Sequence, residues 1–91
     1  MRVIEKEMLA AINGGRDWSK DNTRVIPTPL GISKVLLHGH EIAQVGRQGG
    51  VVVNASTLRA WPTRTTMSRL RALGVDVCTR KGEVMLNGEA I

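Results

Sequence analysis

Aromatic side chains are almost absent from this sequence of 91 residues, which has no Phe, no Tyr and two Trp. An apolar core must therefore be packed from Val, Ile, Leu and Met. Domains that bind single-stranded nucleic acid commonly stack bases on exposed aromatic rings. With only Trp18 and Trp61 available, we expect no stacking platform of that kind.

Cysteine and long apolar runs are also scarce. Cys78 is the single cysteine, which excludes an intramolecular disulfide and indicates a reducing compartment. No apolar run approaches the ~18 residues that a membrane span needs. Glu5 and Glu7 stand where a signal peptide would be apolar. We therefore expect a cytoplasmic protein that does not associate with membranes.

Residues of the kind found in catalytic and metal sites do not cluster. His38 and His40 are the only pair of metal-ligand type, and Cys78 and Glu41 would have to complete a zinc site that needs three or four ligands. The carboxylates are scattered, and no phosphate-binding or dinucleotide-binding glycine pattern is present. We predict no enzyme, no metal site and no cofactor.

Length and periodicity predict one small α+β domain that covers residues 1–91. Apolar residues recur at helical spacing over 2–13 and 64–73. Short β-type runs bounded by turn residues lie at 23–26, 33–38, 41–45, 51–53, 75–79 and 83–86. The predicted order is one helix, three or four strands, a second helix and two strands. The economical packing is an antiparallel sheet with both helices on one face.

Two connections carry specific predictions. Gly39-His40 is predicted to be a two-residue hairpin loop of type II′, because that turn favours Gly at its first central position. The polar segment Arg16–Asn22 is predicted to be a loop that Trp18 pins onto the core.

The second helix has start and stop signals of its own. Pro62 favours an extended chain before the helix, and Thr63 or Thr65 can accept a hydrogen bond from a free N–H of the first turn. Gly74 suits the left-handed residue that ends a helix. The apolar side of this helix consists of Met67, Leu70 and Leu73. The opposite side consists of Arg64, Ser68 and Arg71, with Arg69 on the flank.

The formal charge of +5 is concentrated around this helix. Residues 59–81 contain six basic residues and one acid, whereas the rest of the chain contains seven of each. Such a distribution produces a local positive field. The predicted basic face consists of Arg59, Arg64, Ser68, Arg69, Arg71, Arg80 and Lys81.

Three functions fit this face. Arginine forks bind phosphate oxygens, and hydroxyls such as that of Ser68 can add neutral contacts, so the face can bind a nucleic-acid backbone without reading its sequence. The same face can instead dock an acidic host protein, with Trp61 as the anchor. It can also be a solvated surface of a structural or oligomeric protein. The sequence leaves the partner and the oligomeric state open.

Several segments resemble a group of small proteins encoded by tailed bacteriophages and prophages. The most specific is Trp-x-Thr-x-Thr-Thr-x-Ser-Arg-Leu-x-Ala-Leu over 61–73. The start Met-Arg-Val-Ile-Glu-Lys, the segment Asp-Asn-Thr-Arg-Val at 21–25 and the hairpin at 37–43 support it. The resemblance implies a phage origin and a bacterial host cytoplasm. It implies no activity and no functional residues.

Overall fold

Three helices and eight strands make up the fold in the computed structural model, which describes all residues 1–91. In chain order they are α1 (Val3–Gly14), β1 (Trp18–Lys20), β2 (Thr23–Pro27), β3 (Ser33–Leu37), β4 (His40–Val45), β5 (Val51–Val53), α2 (Ala55–Ala60), α3 (Arg64–Ala72), β6 (Val77–Arg80), β7 (Glu83–Leu86) and β8 (Glu89–Ala90). The predicted α+β class and the predicted order are confirmed. The structure adds the short elements α2 and β8. The prediction that Arg16–Asn22 is a loop is wrong for Trp18–Lys20, which forms β1 by pairing with β2, but Trp18 packs against the core as predicted.

The first sheet is an antiparallel meander in which β1 to β5 lie side by side in chain order. Helix α1 packs on β2, and helices α2 and α3 pack on β4. One cluster of buried apolar residues joins these elements and also includes Val77 of the second sheet. Its members are Met8, Ala11, Val25, Val35, Leu37, Ile42, Ala43, Val45, Leu58, Met67, Leu70 and Val77.

The hairpin between β3 and β4 differs from its predicted turn. Leu37 pairs with His40, so the loop residues are His38 and Gly39, with φ values of 52° and 81°. Positive φ at both central residues is the requirement of a type I′ turn, so the predicted Gly39-His40 loop of type II′ is wrong by one residue. His40 therefore begins β4 instead of occupying the turn.

A β-bulge follows in the same hairpin. Val35 pairs with Ala43, but the next residue, Leu36, pairs with Glu41. Ile42 is the extra residue of β4, which explains how the consecutive residues Ile42 and Ala43 are both buried.

Helix α2 is too short to show an apolar period, and the sequence analysis did not predict it. Asn54 caps it, because the Asn54 side chain accepts a hydrogen bond from the Thr57 N–H at 3.1 Å. Leu58 anchors the helix to the core with 1% of its surface exposed. The short helix thereby brings Trp61 next to His40.

Helix α3 begins and ends with the predicted signals. Thr63 Oγ1 accepts a hydrogen bond from the Thr66 N–H at 3.1 Å. At the other end Gly74 has φ of 91°, its N–H donates to the Arg71 carbonyl, and the Val75 N–H donates to the Leu70 carbonyl. This pair of bonds is a Schellman motif, which turns the chain sharply toward β6. Strands β6, β7 and β8 then form a separate three-stranded sheet.

None of the helices has the length and hydrophobicity that a membrane span requires.

Candidate functional site

A cleft of about 440 Å³ opens where the start of α1, helix α3 and strand β6 meet. We call it the arginine cleft. Its lining consists of Arg2, Pro62, Arg64, Met67, Ser68, Arg71 and Thr79. Three of these seven residues are arginines and none is acidic, so the cleft is a site of concentrated positive charge.

The three arginines of the cleft are free to bind an external anion. Arg2, Arg64 and Arg71 are exposed, and none of them forms an ion pair within the protein. Arg71 makes one hydrogen bond, in which its Nε–H donates to the Val77 carbonyl at 3.0 Å. That bond holds the side chain against β6 and leaves both terminal nitrogens available, so Arg71 is partly oriented before any ligand arrives.

Arg69 was predicted to belong to the basic face, and this prediction is wrong. Only 3% of its surface is exposed. Its Nη1 donates to Glu5 Oε2 at 2.8 Å and its Nε donates to Thr23 Oγ1 at 3.0 Å, while Nη2 lies 3.5 Å from Asn22 Oδ1. A guanidinium with these partners is satisfied inside the protein and cannot reach a phosphate group.

Ser68 lines the cleft, but its hydroxyl proton already forms a hydrogen bond within the protein. The Ser68 hydroxyl donates to Glu5 Oε2 at 2.5 Å. In this structure the Ser68 hydroxyl is therefore not free to donate to a phosphate group. The residue instead fixes the cleft wall to helix α1.

Glu5 is the centre of this buried network and is 3% exposed. Burial by itself raises the pKa of the Glu5 carboxyl. Hydrogen bonds from Ser68, Arg69 and the Arg2 N–H, together with the charge of Arg69, outweigh burial and lower the pKa below its ordinary value. The carboxylate is consequently charged at neutral pH, and it neutralises Arg69 from within.

The remaining predicted residues lie outside the cleft. Arg59 is in the last turn of α2, and Arg80 and Lys81 are at the hairpin between β6 and β7. All three are exposed, but none lines the cleft. The structure thus brings together Arg64 and Arg71 and adds Arg2, which the sequence analysis did not select because its position depends on how α1 packs.

A model of the Kyanoviridae Gp96 protein family matches residues 1–90. The chain belongs to this family. The predicted relationship to phage proteins is confirmed, since this is a phage protein family. No curated protein and no solved structure shows significant similarity to the chain.

A second cavity of this Gp96 family member lies beside Trp61 and has a volume of about 320 Å³. Trp61 is 49% exposed, and its ring stacks on His40 with 4.2 Å between centroids and 26° between planes. We call this second cavity the Trp61 cavity. Its lining consists of Leu37, His38, His40, Ile42, Thr57, Trp61, Thr63, Thr65 and Thr66. Trp61 therefore lies at the surface and not in the core.

Proposed function

We propose that this protein is a non-enzymatic phage accessory protein that binds the phosphate backbone of nucleic acid in the host cytoplasm. The observation that supports the proposal is the arginine cleft, whose lining includes Arg2, Arg64 and Arg71 but no acidic residue, and whose three arginines form no internal ion pair. Arginine binds phosphate through two parallel hydrogen bonds, and this contact does not depend on base sequence.

The proposal has a quantitative signature in salt. Each phosphate contact contributes about −0.9 to the slope of log K against log salt for a duplex. If the three arginines make one contact each, affinity falls about 40-fold between 50 and 200 mM salt. Removal of two of them leaves a fall of only about 3.5-fold.

The experiment is a titration of a labelled mixed-sequence duplex with the protein, read by fluorescence anisotropy over that salt range. The test variant carries Arg64→Ala and Arg71→Ala. The matched control carries Arg16→Ala and Arg47→Ala, which remove two exposed arginines outside the cleft. A lower slope in the first variant alone supports the proposal. Equal slopes in both variants contradict it, as does failure of both the duplex and single-stranded oligonucleotides to bind at low salt.

The exposure of Trp61 favours a second candidate, a module that docks an acidic host protein. A half-exposed Trp is the kind of side chain that anchors protein interfaces. This candidate is preferred if the duplex and single-stranded oligonucleotides both fail to bind at low salt. Its own test is whether Trp61→Ala and Arg64→Ala both weaken binding to a purified acidic partner.

A further inference from the structure

The arginine cleft and the Trp61 cavity lie on opposite sides of one short segment, residues 61–65. Trp61, Thr63 and Thr65 line the Trp61 cavity. Pro62 and Arg64 line the arginine cleft. Thr63 is extended, with dihedral angles of −77° and 162°, so its side chain and those of Pro62 and Arg64 point to different sides, and helix α3 begins at Arg64. The segment is therefore a ridge with a stacking surface on one side and positive charge on the other.

The Trp61 cavity has the features of a site for one flat, polar ring. His40 stacks on Trp61 and supports it, while about half of the Trp61 surface stays exposed. Its volume of about 320 Å³ is at the lower end for small-molecule sites, which suits a single ring system.

The polar groups around this cavity can bind the edge of such a ring. Thr57 and Thr65 line the cavity, and their hydroxyls form no hydrogen bond within the protein. The Thr63 hydroxyl, in contrast, is occupied by Thr66. A free hydroxyl can donate to the ring nitrogens and carbonyl oxygens of a base and can accept from its N–H groups.

We infer that Trp61, supported by His40, stacks one unpaired nucleobase while the arginine cleft holds the phosphates of the same strand. The inference rests on the proposed function and adds a substrate class to it. A base inside a duplex is already stacked and paired, so the site selects single-stranded nucleic acid. The inference departs from the expectation that the chain has no stacking platform, because it needs a surface for one base only, which Trp61 with His40 against it can provide.

The test compares two probes of equal length and equal charge. One is a labelled oligothymidylate, and the other is an oligonucleotide of abasic sites with the same number of phosphates. The protein should bind the oligothymidylate at least about fivefold more tightly than the abasic strand. Trp61→Ala should reduce this ratio to about one and leave the affinity for the abasic strand unchanged.

Two further variants keep the test decisive. Trp61→Leu retains apolar contact without an aromatic ring and should also lose the preference for thymidylate, in case Trp61→Ala does not fold. Arg64→Ala with Arg71→Ala should weaken binding of both probes equally, because it removes phosphate contacts and leaves the ring in place.

The outcomes separate the two levels of the proposal. The stacking inference is overturned if the ratio of the affinities for the two probes is the same in the original protein and in both Trp61 variants. Backbone binding stays supported in that case, provided that both probes bind in a salt-dependent way. Failure of both probes to bind at low salt overturns the proposed function and the inference with it. A preference for the thymidylate that is lost with the Trp61 ring supports both.

Discussion

Arg69 and Arg71 are two residues apart on one helix, yet they have opposite environments. Arg69 is buried and neutralised by Glu5, whereas Arg71 is exposed and lines an open cleft. Each residue of a helix is turned by about 100° from the one before it, so residues two positions apart lie on nearly opposite sides. Arg69 therefore faces the interior and Arg71 faces the solvent. A run of arginines in a sequence is therefore not one functional unit, and the partner of each residue decides its role.

The largest effect on stability should come from removing the buried arginine, Arg69. Arg69→Met should lower the free energy of unfolding by about 3 to 5 kcal/mol, because it leaves the carboxylate of Glu5 buried without its partner. Arg71→Met should cost about 1 kcal/mol, the value of its hydrogen bond to Val77. Urea unfolding measures both. Similar losses for the two variants would contradict the distinction.

The acid dependence of stability should identify Glu5 as the centre of the network. Its pKa is lowered in the folded protein. Its stabilising contribution is therefore complete above the ordinary pKa of Glu, about 4.3, and is lost as the pH falls through the lower, folded value. Glu5→Gln should destabilise the protein at neutral pH, and the difference from the original protein should shrink in acid.

The control for this pH series is Glu7→Gln. Glu7 is on the same helix and pairs with Lys20 at 3.1 Å, but both side chains are more than two-fifths exposed. Exposed pairs contribute at most about 1 kcal/mol. A pH profile for Glu5→Gln that parallels that of the original protein would show that Glu5 does not titrate as inferred.

A variant of Ser68 separates the contribution of the buried Glu5 network to stability from the contribution of the arginine cleft to binding. Ser68→Ala should lower the free energy of unfolding by about 1.5 to 3 kcal/mol, the range for a hydrogen bond to a charged group. The affinity of the folded variant for nucleic acid should not change, because the Ser68 hydroxyl donates its hydrogen bond to Glu5 and not to the ligand. Anisotropy and urea unfolding on the same preparation measure the two effects. A loss of affinity without a loss of stability would assign Ser68 to the ligand instead.

The smallest effect on stability should come from removing an exposed arginine of the cleft, Arg64. Arg64→Ala should change the free energy of unfolding by less than about 0.5 kcal/mol and should reduce the salt slope of duplex binding by about 0.9. The double variant Glu5→Gln with Arg69→Gln keeps the net charge and should leave that slope unchanged. A lower slope in this double variant would mean that Arg69 contacts the ligand after all.

Features determined by neighbours in sequence were predictable. Helices α1 and α3 agree with the predicted bounds to within one residue at either end, because their apolar spacing and the signals at Thr63 and Gly74 are local. The turn at His38-Gly39 was misplaced because Gly39 is compatible with two loop positions that differ by one residue.

Features determined by distant contacts were not predictable. Glu5 and Arg69 are 64 positions apart, and no pattern in the sequence indicates that they meet. The same holds for Arg2, which reaches the cleft only because α1 packs beside α3. The exposure of Trp61 depends on α2, a helix of six residues that carries no periodic signal.

The arginine cleft is lined by residues from 2 to 79. During synthesis at the ribosome the cleft cannot exist until strand β6 has emerged. Until then Arg71 lacks the Val77 carbonyl that orients it, and Thr79 is missing from the cleft wall. Any nascent or truncated chain that stops before β6 should therefore lack the cleft, so the ability to bind an anion there is acquired only once β6 has been made.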